Sequence, residues 1–164
     1  MPSKTPTTAA SGLRTGHPYL DDLGVRLLAA LSDDPRLRTS ELARRLSVSA
    51  PTVRERIARL EESGVIRGYR LDIDPAAVGL PVAAWVRLRP GPGQLPRIAE
   101  LARRTPEVVE CHRISGEDCF LMRVQVASIP ALEDVLDRFL VHGQTTSSFV
   151  VSTPVPPRAV PLPR

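Results

Sequence analysis

From Leu20 the apolar residues recur as Leu20, Leu23, Leu27, Leu28 and Leu31, the spacing of one face of an amphipathic helix, with Asp21 placed to cap its start. Thr39 is expected to cap a short second helix carrying Leu42, Ala43 and Leu46 inside. Ser49 is expected to cap a third carrying Val53, Ile57 and Leu60, closed by Gly64. Pro51 follows Ser49 by two positions, where a first helical turn tolerates a residue without an N–H. Only Ser47 and Val48 separate the second and third helices. Tyr69, Leu71 and Ile73 then alternate with Arg70, Asp72 and Asp74, the period of a half-buried strand. Three helices and a strand spell a winged helix-turn-helix.

Past a break at Asp74 to Gly79 the pattern changes. Val82, Ala84, Val86 and Leu88 alternate as a strand, Leu95, Ile98 and Leu101 or Ala102 mark a helix, and Val108 to Ile114 reads as a second strand. Phe120, Met122, Val124 and Val126 alternate in a third. Ile129, Leu132, Leu136 and Phe139 give a helix capped by Ser128, and Thr145 to Thr153 closes the series as a β-rich strand. The order β-α-β-β-α-β is that of a ferredoxin-like domain, an antiparallel sheet with both helices on one face. The expected class is therefore α+β. A winged helix-turn-helix domain over residues 20–74 is followed by a hinge at 75–79 and a ferredoxin-like domain at 80–154, which leaves tails at 1–19 and 155–164. The second sheet face carries Trp85 and Leu121 with little chain left to cover it, which implies pairing with another subunit.

Composition narrows the classes. With 42% hydrophobic and 24% charged residues the chain is a folded globular type. The longest apolar stretches stop far short of a membrane span, no secretory leader precedes the first helix, and Cys111 and Cys119 are too few for a disulfide scaffold, all of which points to the cytoplasm. Of the 17 prolines, three fall in residues 1–18 and five in 154–164, so both tails are expected to be disordered or extended.

The net charge of +4 is concentrated. Between Arg36 and Arg59 seven arginines stand against Glu41 and Glu55, a local excess of five that suits an anionic partner, double-stranded DNA first. With Val53, Ile57 and Leu60 turned inward, the 100° step of a helix places Pro51, Thr52, Glu55, Ala58 and Arg59 outward, with Arg54 and Arg56 on the flanks. These residue types suit direct readout: Arg reads guanine O6 and N7, Glu accepts from cytosine N4, and Thr touches a thymine methyl or a phosphate. Arg38, Thr39, Arg45 and Ser49 complete the expected DNA-binding set. The competing reading of Glu55 is an i,i+4 pair with Arg59 on a solvated helix. Cys111, His112 and Cys119 are not spaced as zinc ligands, and no phosphate-binding loop or nucleophile elbow is present, so neither a metal, a cofactor nor a catalytic set is expected.

The run TSELARRLSVSAPTVRERIARLEESGVIRGYRLDIDP, followed by a domain containing VVECHRISGEDCFLMRV, resembles the Lrp/AsnC (feast/famine) family of prokaryotic transcription regulators over residues 20–154. The resemblance implies a sequence-specific regulator, a homodimer through the C-terminal sheets that can build an octamer, and small effectors such as amino acids bound between sensor domains. It also implies an effector-binding turn reading Gly, any, aromatic, Asp, aromatic, whose Asp helps hold an ammonium group. Here that turn is Gly116, Glu117, Asp118, Cys119, Phe120, so Cys119 stands where the Asp belongs. Glu117 and Asp118 can supply a carboxylate from neighbouring positions, with Thr145 and Thr146 as neighbours offering hydroxyls, and an altered or weakened amino-acid response is expected. The alternative reading of the turn is a tight connection with solvated acids. The alternative function is a tetrapyrrole (siroheme-type) decarboxylase on a similar scaffold, using His112 or His142 with arginines such as Arg113.

Overall fold

The computed structural model describes residues 18–162, so nearly all of the tail expected at 1–19 lies outside the described residues. The chain divides into two units, one ending at Arg70 and including the chain from Pro157 onward, the other spanning Leu71–Pro156.

The first unit holds α1 (Asp22–Asp33), α2 (Thr39–Leu46) and α3 (Ala50–Glu62). Asp21 caps α1 by accepting from the Gly24 N–H, and Ser49 caps α3 by accepting from the Thr52 N–H. Thr39 does not cap α2. It is the first helical residue, the cap position belongs to Arg38, and no side chain closes that end. Between α2 and α3 the chain turns at Ser47, which sits in the left-handed region at φ 57°, and the Val48 N–H reaches back to the Ala43 carbonyl. That turn lets Leu42, Leu46, Val53 and Leu60 converge with Leu27 and Leu31 in one buried cluster. Pro18 and Tyr19 form a turn ahead of α1, and Tyr19 packs against the same cluster.

The strand expected through Tyr69, Leu71 and Ile73 is absent. Residues 67–74 carry no strand among the described residues, and all three side chains are exposed, Leu71 at 86%. Alternation makes a strand only where a second edge supplies the ladder of hydrogen bonds that offsets the entropy of extension, and among the described residues no strand pairs with this segment. One 3₁₀ turn follows at Ala76–Val78, started by the Asp74 carboxylate accepting from the Ala76 N–H and closed by the Leu80 N–H on the Pro75 carbonyl at 2.8 Å.

The second unit is β1 (Val82–Pro90), α4 (Leu95–Arg104), β2 (Val108–Arg113), β3 (Phe120–Val126), α5 (Ile129–Leu140) and β4 (Gly143–Phe149). The strands form one antiparallel sheet in the order β2-β3-β1-β4, the ferredoxin-like arrangement. Ser128 caps α5 as its position implies. β4 stops at Phe149, opposite Ala84, because β1 itself begins only two residues earlier and leaves the chain beyond Val150 without a partner. Ala84, Val86, Leu88, Phe120, Met122 and Val124 are fully buried on the helix side of the sheet with Ile98, Leu132 and Phe139. Gln125, itself buried, donates through its side-chain amide to the carbonyls of Leu80 and Val82 and so fastens the entry to β1.

The opposite sheet face is more polar than a plain apolar patch. Trp85 lies across from Arg123 and Ser148, and Leu121 across from Arg87 and His112, so a small apolar centre is ringed by charge.

Candidate nucleic-acid interface and effector turn

The basic segment separates into three kinds of arginine. Arg36, Arg38 and Arg54 are exposed, and their side chains make no ion pair or hydrogen bond among the described residues. Arg44, Arg45 and Arg59 are paired within their own helices. Arg44 and Arg45 share Glu41 at 2.7 and 2.9 Å, and Arg59 binds Glu55. Hydrogen bonds from Arg44 first and Arg45 second hold the Glu41 carboxyl below the ordinary glutamate range. Such exposed pairs are worth little and exchange readily for another anion. Arg56 is different. Only 27% exposed, it reaches across to Asp21 at 2.8 Å, the residue that caps α1. The Gly24 N–H, and after it Arg56, hold the Asp21 carboxyl below the usual aspartate range against the opposing effect of burial.

The third helix therefore presents Pro51, Thr52 and Arg54 to solvent, with Glu55 and Arg59 joined beside them as the local i,i+4 reading implied and Arg59 stacked 5.6 Å over the Tyr19 ring. Ser49 and Thr52 hydroxyls meet at 2.8 Å, so one of the two retains a free lone pair or proton for a partner.

The turn expected to bind an effector joins β2 to β3. Gly116 takes φ 104°, a conformation that disfavours a side chain, and the Ile114 N–H closes the turn on the Cys119 carbonyl at 2.9 Å. The Cys119 thiol points back to the carbonyls of Gly116 and Glu117 at 3.6 and 3.7 Å. Neither acid of the turn is merely solvated: Arg89, from the end of β1, contacts Glu117 at 2.5 Å and Asp118 at 3.6 Å. Sequence reasoning missed Arg89. The signal was present, because pairing Leu88 with Phe120 in an antiparallel ladder leaves residue 89 beside the turn that precedes Phe120. Thr145 and Thr146 are not brought to the turn as a pair. They face Leu88 and Arg87 on opposite sides of the sheet, and the β4 residue in register with Arg89 is Gln144.

The residues of the decarboxylase alternative do not converge. Arg113 and Arg103 line an open groove of about 350 Å³ between α4 and β2, with Phe120 as part of its wall. His112 is instead paired with Glu110 at 2.6 Å on the far face of the sheet, and His142 hydrogen-bonds Gln94 at 3.0 Å. Among the described residues no three His, Cys, Asp or Glu side chains form a metal site, and no helix is long and apolar enough to cross a membrane.

Residues 20–67 match a winged helix-turn-helix DNA-binding domain, and residues 82–160 match the Lrp/AsnC ligand binding domain. The chain belongs to the Lrp/AsnC family. Among its Lrp/AsnC relatives, the HTH-type transcriptional regulator LrpC of Bacillus subtilis is 30% identical over 81% of this chain and 92% of its own length. LrpA of Mycobacterium tuberculosis is 36% identical over 82% of this chain and 91% of its own. A feast or famine regulatory protein of M. tuberculosis solved with L-methionine superposes at a TM-score of 0.82, with 35% identity over 88% of this chain and 99% of that one. A Neisseria meningitidis regulator complexed with L-Met gives 0.80 at 30% identity, over 87% of this chain and 97% of that one. These Lrp/AsnC relatives are named as transcriptional regulators, which leaves the decarboxylase alternative without support.

Proposed function

We propose that the protein is a cytoplasmic, sequence-specific transcription regulator whose residues 20–74 hold double-stranded DNA and whose residues 80–154 sense a small amino acid. Residues 75–79 join the two. The observation that carries the DNA reading is the exposed face of α3 flanked by arginines with no internal partner, Arg54 beside Pro51 and Thr52 and Arg38 ahead of α2. Arg45, Ser49 and Arg59 add contacts to phosphate, and Glu55 is available to a cytosine once Arg59 turns to the backbone. Arg56 acts behind the interface by holding α3 against the start of α1. Thr39, as the first residue of α2, offers its hydroxyl to phosphate.

For the effector we propose the turn of Gly116, Glu117, Asp118 and Cys119. Two carboxylates against one guanidinium leave one negative charge, the complement of one ammonium group. The backbone N–H groups of the turn and a hydroxyl of Thr145 or Thr146 serve the ligand's carboxylate. Assembly as a homodimer, or a higher oligomer such as an octamer, would cover Trp85 and Leu121. Light scattering at micromolar concentration should show at least a dimer, and a monomer would end that part of the proposal.

The test of the DNA reading is an electrophoretic shift with DNA from upstream of the protein's own gene. Affinity should fall with salt on a log-log slope of about −0.9 per phosphate contacted. Retention of full affinity by a variant lacking both Arg38 and Arg54 would refute the assignment. The effector site is tested by thermal shift with the amino acids, L-methionine included. An effector at a hundred times its Kd should stabilise by about 2.7 kcal/mol, and Glu117→Ala and Asp118→Ala should remove that stabilisation. A ligand that stabilises wild type and both variants equally binds elsewhere.

A further inference from the structure

The chain beyond β4 is described through Leu162 and holds no helix or strand, yet it does not behave as a uniform tail. Val151, Val155 and Val160 stand 97%, 61% and 78% exposed. Leu162 instead packs, partly buried, against the cluster formed by α1, α2 and α3, and the chain from Pro157 onward groups with the first unit although it emerges from the second. The match to the ligand binding domain ends at residue 160, ahead of this leucine.

The sequence explains how one side chain can dock. Pro154, Pro156, Pro157 and Pro161 fix their own φ, and each biases the residue before it toward extended or polyproline geometry. A segment so stiff loses little conformational freedom when its end is held, and being covalently attached it meets its surface at a high effective concentration. Its sole charge between Val150 and Leu162 is Arg158, so little desolvation opposes the contact.

We propose that the three-helix unit carries a docking surface for the protein's own C-terminus, occupied by Leu162, which makes the proline-rich segment 154–162 a second connection between the helical unit and the sheet unit, covalent where it leaves β4 and held by apolar packing at Leu162. The first tie is the extended chain after Arg67. A change in either unit then acts on the other through two connections, and the second one stabilises the helices directly.

The experiment is amide hydrogen exchange on the full-length protein, on Leu162→Asp, on Leu162→Met and on a deletion of residues 154–164. Exchange in α1, α2 and α3 should quicken several-fold in Leu162→Asp and in the deletion, with Leu162→Met close to wild type and the amides of β1 and β3 unchanged in all four. Helix exchange in Leu162→Asp equal to wild type would overturn the proposal, as would equal acceleration in the sheet. The readout needs neither an operator nor an effector, so it stands apart from the proposed function.

Discussion

The helix-turn-helix and the turn between β2 and β3 both carry clustered charge, and they neutralise it in opposite ways. Around α2 and α3 the partners are three or four residues apart, Glu41 with Arg44 and Arg45, Glu55 with Arg59. At the turn the partner comes from another strand, Arg89 reaching Glu117 and Asp118. Local pairs sit on a helix that forms whether or not they do, so they can open for a phosphate without disturbing the fold. The turn's pair depends on the alignment of β1 with β3, so its charge balance is a property of the sheet. The basic segment also contains one exception to its own rule, the long-range pair of Arg56 with Asp21.

The largest effect should come from the strand end that sets Arg89. A Cβ added at Gly143 would collide with the Arg89 carbonyl oxygen and meet the Pro90 Cα at 3.0 Å, both backbone. Gly143→Ala should therefore cost about 1–3 kcal/mol in thermal or denaturant unfolding. A variant as stable as wild type would mean that this end of the sheet is loose and the link to Arg89 weak.

Next in size is the exception in the basic segment. Asp21→Ala removes the cap of α1 and the partner of Arg56, and a loss of about 0.5–2 kcal/mol is expected. Because the folded carboxyl lies below its ordinary range, its contribution is complete above the unfolded aspartate value near pH ~4 and fades as pH falls through the lowered folded value. Wild type and variant should thus converge in stability in strong acid. A gap that persists undiminished to the lowest pH would remove the carboxylate from the explanation.

A smaller effect should distinguish two neighbours on one helix. Arg54→Ala is expected to change stability by less than about 0.5 kcal/mol while reducing the salt slope of DNA binding by about 0.9. Arg56→Ala should lower stability more than Arg54→Ala does and leave the salt slope alone. Reversed behaviour of the two in urea titrations and salt-dependent binding would undo the division drawn between them.

The smallest change concerns the turn. Arg89→Ala should move stability by less than about 1 kcal/mol, since its pairs are half exposed. It should nevertheless shift the ranking of amino acids in thermal-shift assays toward those with a second positive charge, because two carboxylates would then stand unneutralised. An unchanged ranking would separate Arg89 from ligand choice.

What could be read from the sequence follows the same division. The helices, their caps at Asp21, Ser49 and Ser128, and the four strands of the sheet were legible because apolar spacing and capping chemistry act over three or four residues. The strand through Leu71 misled because alternation reports a tendency to extend and says nothing about whether an edge is free to receive it. Arg56 reads from spacing as a flank of the DNA-facing side, and only the approach of α1 shows its ion pair with Asp21. Arg89 could be found only by pairing the predicted strands, and Leu162 not at all, since each meets its partners across a distance in sequence that no local rule spans.

The buried amide of Gln125 has a mechanical consequence. By gripping the carbonyls of Leu80 and Val82, while the Pro75 carbonyl takes the Leu80 N–H, it turns residues 75–82 into a closed knot. Torsion applied there has few free bonds to act on. Between the end of α3 and the knot, residues 67–73 hold no backbone hydrogen bond among the described residues, so their φ and ψ are the least restrained of the connection. The side chains of that stretch, Tyr69, Leu71 and Ile73, wait in solvent.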